Sequence, residues 1–536
     1  MRCMIELDIR VPVKYTKDDV RLALLDRAPL SVKEVRDFLI VKRRLVAKDT
    51  SDIHYKMSVA LSLSTEREEG LLKIRNKVRL YDGLHLDLPD SRLASRPLVV
   101  GAGPAGLFAA LTLAEAGARP IIVERGLKLE ERDAQVKKFF LTGKLDTECN
   151  IQFGEGGAGT YSDGKLKVGS HDKYKMYVLR SLVEAGAPEE VLYSMDGHLG
   201  TDKLSGITRG IRERLISLGA EFYFSTRLTG IILKDGKVTG ARLERFGKEE
   251  IVETESIVLA VGHSARDTFR MLKETGVVME ARGFGIGVRI EHPREHIDRM
   301  FYGEGMAKDL CSASYHLVTH LPSGRSVYSF CMCPGGTVVA ATSAEGAVVT
   351  NGMSEYLRDG ENSNAAFLVS VTSNDFDSAD PLSGFELQKR IEEAAFRMGG
   401  GDYKAPAIRM EDFLLGNAPS TPKSVRPTYQ RGITPASAES YLPTYITDSL
   451  RAAIKDFEAY APGFYLPDAV LTGAETRSTS PVRILRGEDC AALGISGLYP
   501  AGEGGGYAGG IISSAADGVK VAVALLSSAC SKNKNK

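Results

Sequence analysis

Apolar and polar positions along this chain of 536 residues follow two rhythms in succession. Over residues 1–90 the rhythm keeps switching. "MIELDIRVPV" alternates with period two and predicts a strand. "TKDDVRLALLDR" and "SVKEVRDFL" each open on a capping-type residue and continue with helical spacing. "LIVKRRLVAK" and "YKMSVALSL" return to strand spacing, giving a small α+β unit. "LDLPDSRLASRP" then breaks every pattern with Pro89 and Pro97, as a linker does. Over 91–275 strand and helix alternate, which predicts a parallel sheet. Over 276–465 short strands dominate ("FGIGVRIE", "SYHLVTHL", "SVYSFCM", "TVVAATS"), predicting an inserted β-rich domain. Over 466–526 an apolar strand, a glycine cluster and a helix return. The tail 527–536 is expected to be disordered.

Two stretches fit the pattern G-x-G-x-x-G. In "VVGAGPAGLFAA" it runs through Gly101, Gly103 and Gly106; in "FGEGGAGTYSDGK" it runs through Gly154, Gly156 and Gly159. Only the first has the surroundings that give the pattern its physics. "PLVV" supplies a strand, Leu107, Leu111 and Ala114 repeat as on a helix, and "PIIVE" ends on Glu124, where an acid meets a ribose hydroxyl. Gly101 permits the tight turn, Gly103 lets backbone approach a pyrophosphate, and Gly106 lets helix and strand close up. The helix then offers its first N–H groups to phosphate. The second stretch follows a poor apolar strand and runs into polar, glycine-broken sequence. It reads as a ligand-lining loop, with Gly156, Gly157 and Gly164 bringing backbone close and Thr160, Ser162 and Lys165 as donors; the alternative is a solvated surface loop.

The pattern alone does not choose between NAD and FAD. Two other features favour FAD. "SIVLAVGHSA" is an apolar strand ending at Gly262 and His263, where the chain leaves the nucleotide domain. "GLYPAGEGGGYAGGIISSAADG" ends a strand at Gly502 and Glu503, then runs through glycines into a helix at Ile511. Such a helix aims its positive end at an anionic group, as suits the pyrimidine edge of a reduced flavin. No second strand–glycine–helix–acid unit is present, so a nicotinamide would dock only transiently.

Composition narrows the class further. Apolar residues make up 43%, enough for packed cores, and 69 basic residues balance 69 acidic ones, which argues against a nucleic-acid binder. Lys42, Arg43 and Arg44 read as a solvated or inward-turned strand edge rather than a nucleic-acid patch. The N-terminus has no apolar signal region, no membrane-spanning run is expected, and seven scattered cysteines suit a reduced, cytoplasmic setting.

Together, "VVGAGPAGLFAALTLAEAGARPIIVERG", "QFGEGGAGTYSDGKL", "GHLGTDKL", "VYSFCMCPGG", "ETRSTSPVRI" and "LYPAGEGGGYAGGIISSAADG" resemble the FAD-dependent oxidoreductases labelled NAD(FAD)-utilising dehydrogenases, over essentially the whole chain. The resemblance implies an α/β fold: a discontinuous, glutathione-reductase-like Rossmann-type FAD-binding domain, an inserted substrate domain and the small N-terminal domain. It implies FAD contacts from Gly101, Ala102, Gly103, Pro104, Ala105 and Gly106 at the pyrophosphate and from Glu124 and Arg125 at the ribose. Leu228 would lie against adenine through its backbone. Gly502 and Glu503 would hold the ribityl region, and Gly509, Gly510 and Ile511 the pyrimidine edge. It implies a small-molecule substrate and leaves its identity and the catalytic residues open. A non-catalytic flavoprotein acting through its N-terminal domain is the alternative.

The remaining candidates read as structural first. Cys331 and Cys333 are C-x-C on a strand, either a redox pair or small buried residues, and a poor zinc site. His292/His296 and His316/His320 have helical i, i+4 spacing, but Pro293 and strand-like alternation argue against metal. Arg477 and Arg483 would clamp an anion or form internal ion pairs.

Overall fold

The structure is a computed structural model describing residues 4–73, 78–81, 85–166, 172–306 and 310–534. At the N-terminus, four antiparallel strands stand in the order Leu39–Val46, His54–Leu61, Met4–Pro12, Val78–Tyr81. The alternating apolar residues Ile5, Leu7, Ile9 and Val11 face helix Lys17–Arg27, whose start is fixed by a reciprocal Thr16–Asp19 capping box. The predicted helix in "SVKEVRDFL" does not form. Ser31 and Glu34 close a single turn (Val35 N–H to Ser31 O, 3.3 Å), and the chain then enters the strand at Leu39. One turn bears the nucleation cost without the propagation that offsets it. Arg43 is turned inward: it donates to Glu190 at 2.9 Å and lies over the rings of Tyr55 and Tyr193.

The second layer is a five-stranded sheet in the order Leu498–Pro500, Ile257–Leu259, Leu98–Val100, Ile121–Val123, Glu221–Tyr223, parallel throughout. Its outermost strand comes from the far end of the chain, so the sheet is discontinuous in sequence. Val99, Ile122, Val258 and Tyr499 pack on helices Pro104–Glu115 and Ile511–Lys534. Leu98, Val100, Ile257 and Leu259 face away, against the antiparallel strands Thr226–Lys234 and Lys237–Arg245. Both faces are covered, which is why the three central strands are wholly apolar, whereas the edge strand Glu221–Tyr223 opens on an exposed Glu221.

The C-terminal helix corrects two expectations. It continues through residues 527–534, where disorder was expected, with Leu526 buried and the Tyr499 and Ser528 hydroxyls 3.3 Å apart; residues 535–536 lie outside the described residues. Its segment Ile511–Cys530 is also long and apolar enough to cross a membrane by length and composition, where no such run was expected. Ala515, Val519 and Ala522 pack instead against the helix Pro104–Glu115, so its apolarity is that of a core helix.

The third sheet has seven strands in the order Val318–His320, Ser326–Cys333, Asn362–Val371, Phe284–Pro293, Val470–Glu475, Ala405–Arg409, Ile433–Pro435. It takes in Val470–Glu475, past residue 465, because that strand alone fills the gap between Phe284–Pro293 and Ala405–Arg409. Helices Ser383–Met398 and Thr444–Tyr460 bury apolar stripes on it, so the unit is α+β rather than chiefly β. Its two connections to the parallel sheet, Met279–Ala281 and Val482–Ile484, pair with each other.

Candidate functional site

The first glycine stretch forms the turn its spacing predicts. Gly101 has φ 101°, and a Cβ there would sit 2.3 Å from Ala260 O; a Cβ on Gly106 would sit 1.8 Å from Gly101 O. No larger residue fits either position. Gly103 is the N-cap and Pro104 the first residue of helix Pro104–Glu115, and no side chain caps this end. Its first-turn N–H groups are left for an anion.

Glu124 is buried, and its carboxylate binds three backbone segments. Oε2 accepts from Ala102 N–H at 2.9 Å; Oε1 accepts from Gly126 N–H at 3.0 Å and Gly154 N–H at 2.9 Å. A carboxylate has about four acceptor positions, so roughly one remains for a ribose hydroxyl. The same residue thereby ties the second glycine stretch to the first.

That second stretch carries only a single 3-10 turn, Ala158–Tyr161, and lies directly on the first. Gly156 N–H donates to Ala102 O at 2.8 Å. A Cβ on Gly157 would be 3.0 Å from Gly103 Cα, and one on Gly159 would be 3.1 Å from Ile511 Cγ1 and 3.5 Å from Pro104 Cγ. The loop therefore joins the N-termini of the two helices that the sequence assigned to cofactor binding. Arg132, fully buried, holds it from behind by donating to the carbonyls of Asn150, Ile151, Gly154, Glu155 and Gly157. Two buried oxygens beside this junction, Thr160 Oγ1 and Glu155 Oε1, have no hydrogen-bond partner. Ser162, expected as a ligand donor, instead donates to Gly159 O at 2.7 Å and accepts from Gly164 N–H. Its hydroxyl closes the loop on itself.

The C-terminal glycine cluster closes the far side. Gly502 N–H donates to Asp517 at 2.8 Å, and Asp517 pairs with Arg486. A Cβ on Gly504 would be 2.6 Å from Gly262 O, and one on Gly518 would be 2.1 Å from Ala105 O. Positions 262 and 509 are open: a Cβ there meets nothing within 4 Å. Uncapped N–H groups, orphaned buried oxygens and open backbone suit a long, anionic, polar ligand, as FAD is. Glu503 is pushed up to about 8 by burial, with the Cys331 thiol adding to the effect and Arg282 opposing it.

The inserted unit faces this junction through charged groups. Asp163, at the end of the glycine loop, accepts from Arg358 Nε at 2.8 Å and from Ser354. Burial alone would raise its pKa; Arg358 and Lys165 hold it below the usual carboxylate range. Lys165 donates to Ser314 at 3.3 Å, and burial lowers its pKa against the pull of Asp163. Arg289, fully buried, pairs with Glu475 at 2.8 Å and donates to Cys331 O at 3.1 Å and Asn364 Oδ1 at 2.8 Å. Sequence reasoning missed Arg132, Arg289, Asp163 and Arg358, whose partners lie far away along the chain.

The other candidates divide. His263 Nδ1 lies 2.9 Å from Ser264 Oγ, and burial, with Arg477 and Arg266, takes its pKa down to about 4. Arg477 is committed internally to Glu392, Ser264 and Ser343. Arg483 donates to Gly506 O at 3.3 Å, beside the glycine cluster. Arg125 is engaged by Glu148 and Asp267 and lies over Phe153. Leu228 buries its side chain on the outer face of the parallel sheet. His292 and His296 each meet a backbone carbonyl, Phe464 O and Gly463 O, and His316 meets Ser329 O.

Residues 283–478 match the family model described as "FAD-dependent protein, C-terminal domain-like", and residues 95–285 match "Pyridine nucleotide-disulphide oxidoreductase". A Clostridium beijerinckii protein described as uncharacterized is 42% identical over 500 residues, covering 92% of this chain and 93% of its own. A digeranylgeranylglycerophospholipid reductase of Methanosarcina acetivorans is 31% identical over 169 residues, 31% of this chain and 37% of its own. Among solved structures, the 3-ketosteroid-delta4-(5alpha)-dehydrogenase of Rhodococcus jostii covers 83% of this chain and 99% of its own, at 13% identity and a TM-score of 0.35.

Proposed function

The chain belongs to a family of FAD-dependent oxidoreductases, with FAD as its cofactor, and from that premise we propose that it moves a hydride between a small-molecule substrate, or a transiently docked NAD(P)H, and flavin N5. The supporting observation is the loop at 154–165, which touches both helix N-termini and ends among charged groups of the inserted unit. The backbone of Gly101–Gly106 would meet the pyrophosphate, Glu124 the ribose with its remaining acceptor position, and Gly509–Ile511 the pyrimidine edge, in a glutathione-reductase-like layout. Bound FAD supplies a two-electron donor and acceptor.

The side chains around it set the conditions for that transfer. Neutral His263 adds no positive charge at the open Gly262. Glu503, uncharged below about pH 8, has a proton to donate to a ribityl hydroxyl or substrate oxygen. Lys165 brings an amine to the boundary between the two units, where burial lowers its pKa against the pull of Asp163 and a substrate would be shielded from water. Arg266 and Arg477 share Glu392 and so act as a brace between the units rather than an anion clamp. The matched domains do not favour a non-catalytic sensor. Anaerobic mixing of the FAD-loaded protein with NADH, NADPH and a metabolite panel tests the proposal. At least one donor should bleach the flavin absorbance; a flavin left oxidised by all of them, yet reduced by dithionite, would sink it.

A further inference from the structure

The strand Ser326–Cys333 loses its register at its end. Phe330 pairs with Ala366 and Cys333 with Asn364, so Cys331 and Met332 together stand against one residue, Ala365. This is a bulge, a feature that re-aims side chains. Cys331 takes a left-handed backbone, φ 43°, which few non-glycine residues adopt. Beyond the bulge, Cys333 Sγ donates back to Cys331 O at 3.3 Å, which keeps the second thiol beside the first residue of the pair.

Their surroundings are not those of inert cysteines. Arg289 holds the Cys331 carbonyl and pairs with Glu475. Asn364, fully buried opposite Cys333, leaves its Nδ2 without a partner. Lys165 approaches from the glycine loop. The neighbouring Cys333 thiol first, then Arg289 and Lys165, draw Cys331 down to about 6 against burial, while Cys333 is pushed well up. The pair thus releases one proton near neutrality and retains the other. Cys149 and Cys490 show the contrast: burial alone dominates there and pushes both thiols up. On the cofactor side, the Glu503 carboxyl lies within electrostatic reach of Cys331.

We propose that Cys331 and Cys333 form a thiol–disulfide couple that exchanges two electrons with the bound FAD. This rests on the reading that the flavin ring lies between the Ile511 helix and the strand carrying these thiols. In the oxidative direction the S–S bond forms as the dithiol gives up two protons and two electrons, and FAD taken to FADH2 accounts for both. The reverse cleaves the disulfide at the expense of the reduced flavin. Arg289 and Lys165 stabilise the thiolate that attacks or leaves.

The test is a stoichiometry. FAD-loaded protein, first oxidised with ferricyanide, which leaves no mixed disulfide on a single thiol, and desalted, is titrated anaerobically with dithionite and followed by flavin absorbance. Wild type should take four electron equivalents per FAD, and C331S and C333S two each. Independently of the flavin, the FAD-free chain is equilibrated in oxidising glutathione buffer and treated with iodoacetamide. The tryptic peptide 326–358, whose only cysteines are these two, should lack two hydrogens and carry no alkyl group. A wild type that takes two equivalents with a doubly alkylated peptide overturns the couple. A disulfide that forms while the flavin and the thiols titrate without exchanging electrons overturns the exchange. A chain with no flavin spectrum before titration fails at the FAD reading instead, and takes the proposal with it.

Discussion

Replacing Gly157 with valine probes whether the second glycine stretch completes the cofactor site. Gly157 has φ 62° and ψ −164°, a region of backbone space essentially reserved for glycine, where another residue costs about 1–3 kcal/mol. Its new Cβ would lie 3.0 Å from Gly103 Cα and 3.6 Å from Pro104 Cδ. Forcing atoms into a packed contact adds about 1–3 kcal/mol. The two effects sum to about 2–6 kcal/mol and fall only on the state in which the loop is docked. The FAD-free protein can escape by releasing the loop; the FAD-bound protein cannot, if the cofactor lies beneath it. At 1.4 kcal/mol per tenfold, the lower end weakens FAD binding about thirty-fold and the middle about a thousandfold. The assay is quenching of FAD fluorescence on titration with deflavinated protein. Gly324→Val is the control: Gly324 also has positive φ, 83°, but a Cβ there meets nothing within 4 Å, and it sits in a turn of the inserted unit. That variant should lose thermal stability and keep its FAD affinity. If Gly157→Val bound FAD within about threefold of wild type, the loop would not be part of the site and the reasoning would be wrong.

Three further outcomes follow from the same geometry. Gly518→Ala puts a methyl 2.1 Å from the carbonyl of Ala105, so the C-terminal helix must lift off the helix Pro104–Glu115; about 1–3 kcal/mol of stability should go, seen in urea melts, with FAD affinity falling too. Arg132→Lys leaves most of the five loop carbonyls without a donor, at about 1–3 kcal/mol for each one orphaned, and the variant should purify with little flavin. Glu503 stays protonated to about pH 8 in the fold but ionises at its ordinary 4.5 when unfolded, so the native state binds the extra proton between those values. Its contribution is therefore complete below pH 4.5 and lost as pH rises to 8. Melting of the FAD-free protein should show Glu503→Gln gaining on wild type across that window, and a difference independent of pH would contradict the burial of the carboxyl.

The parts that were legible in the sequence were local. The strand, three glycines, helix and terminal acid of residues 98–124 fold within themselves, so spacing alone located them. The parts that were not legible have partners far away. Arg289 meets Glu475, Asp163 meets Arg358, and Gly518 is needed because Ala105 crosses it. No periodicity announces such contacts. The helix expected in "SVKEVRDFL" failed because propensity over so few residues yields to the connections at either end. The helices Ser383–Met398 and Thr444–Tyr460 of the inserted unit stand between glycine- and serine-rich loops and short strands, whose pattern masks their helical spacing. Ser162 illustrates a further limit: composition marks a hydroxyl as a donor but does not say that Gly159 O, three residues back, will claim it.

The two glycine patterns pack together as one structure, joined by Gly156 N–H to Ala102 O and by Glu124. A glycine turn at the end of a strand exposes backbone on one side only, and something must cover the phosphates from the other. The loop at 154–165 can do so because Gly157 and Gly159 have no side chains to hold it away from Gly103, Pro104 and Ile511. Glu124 enforces the arrangement, since the same carboxylate receives N–H groups from both stretches. Its loss would therefore unpin the loop, and with it Asp163 and Lys165, from the parallel-sheet unit. That couples cofactor binding to the position of the charges facing Cys331 and Cys333, so a weakly bound FAD and a displaced thiol pair should appear together in any variant that frees the loop.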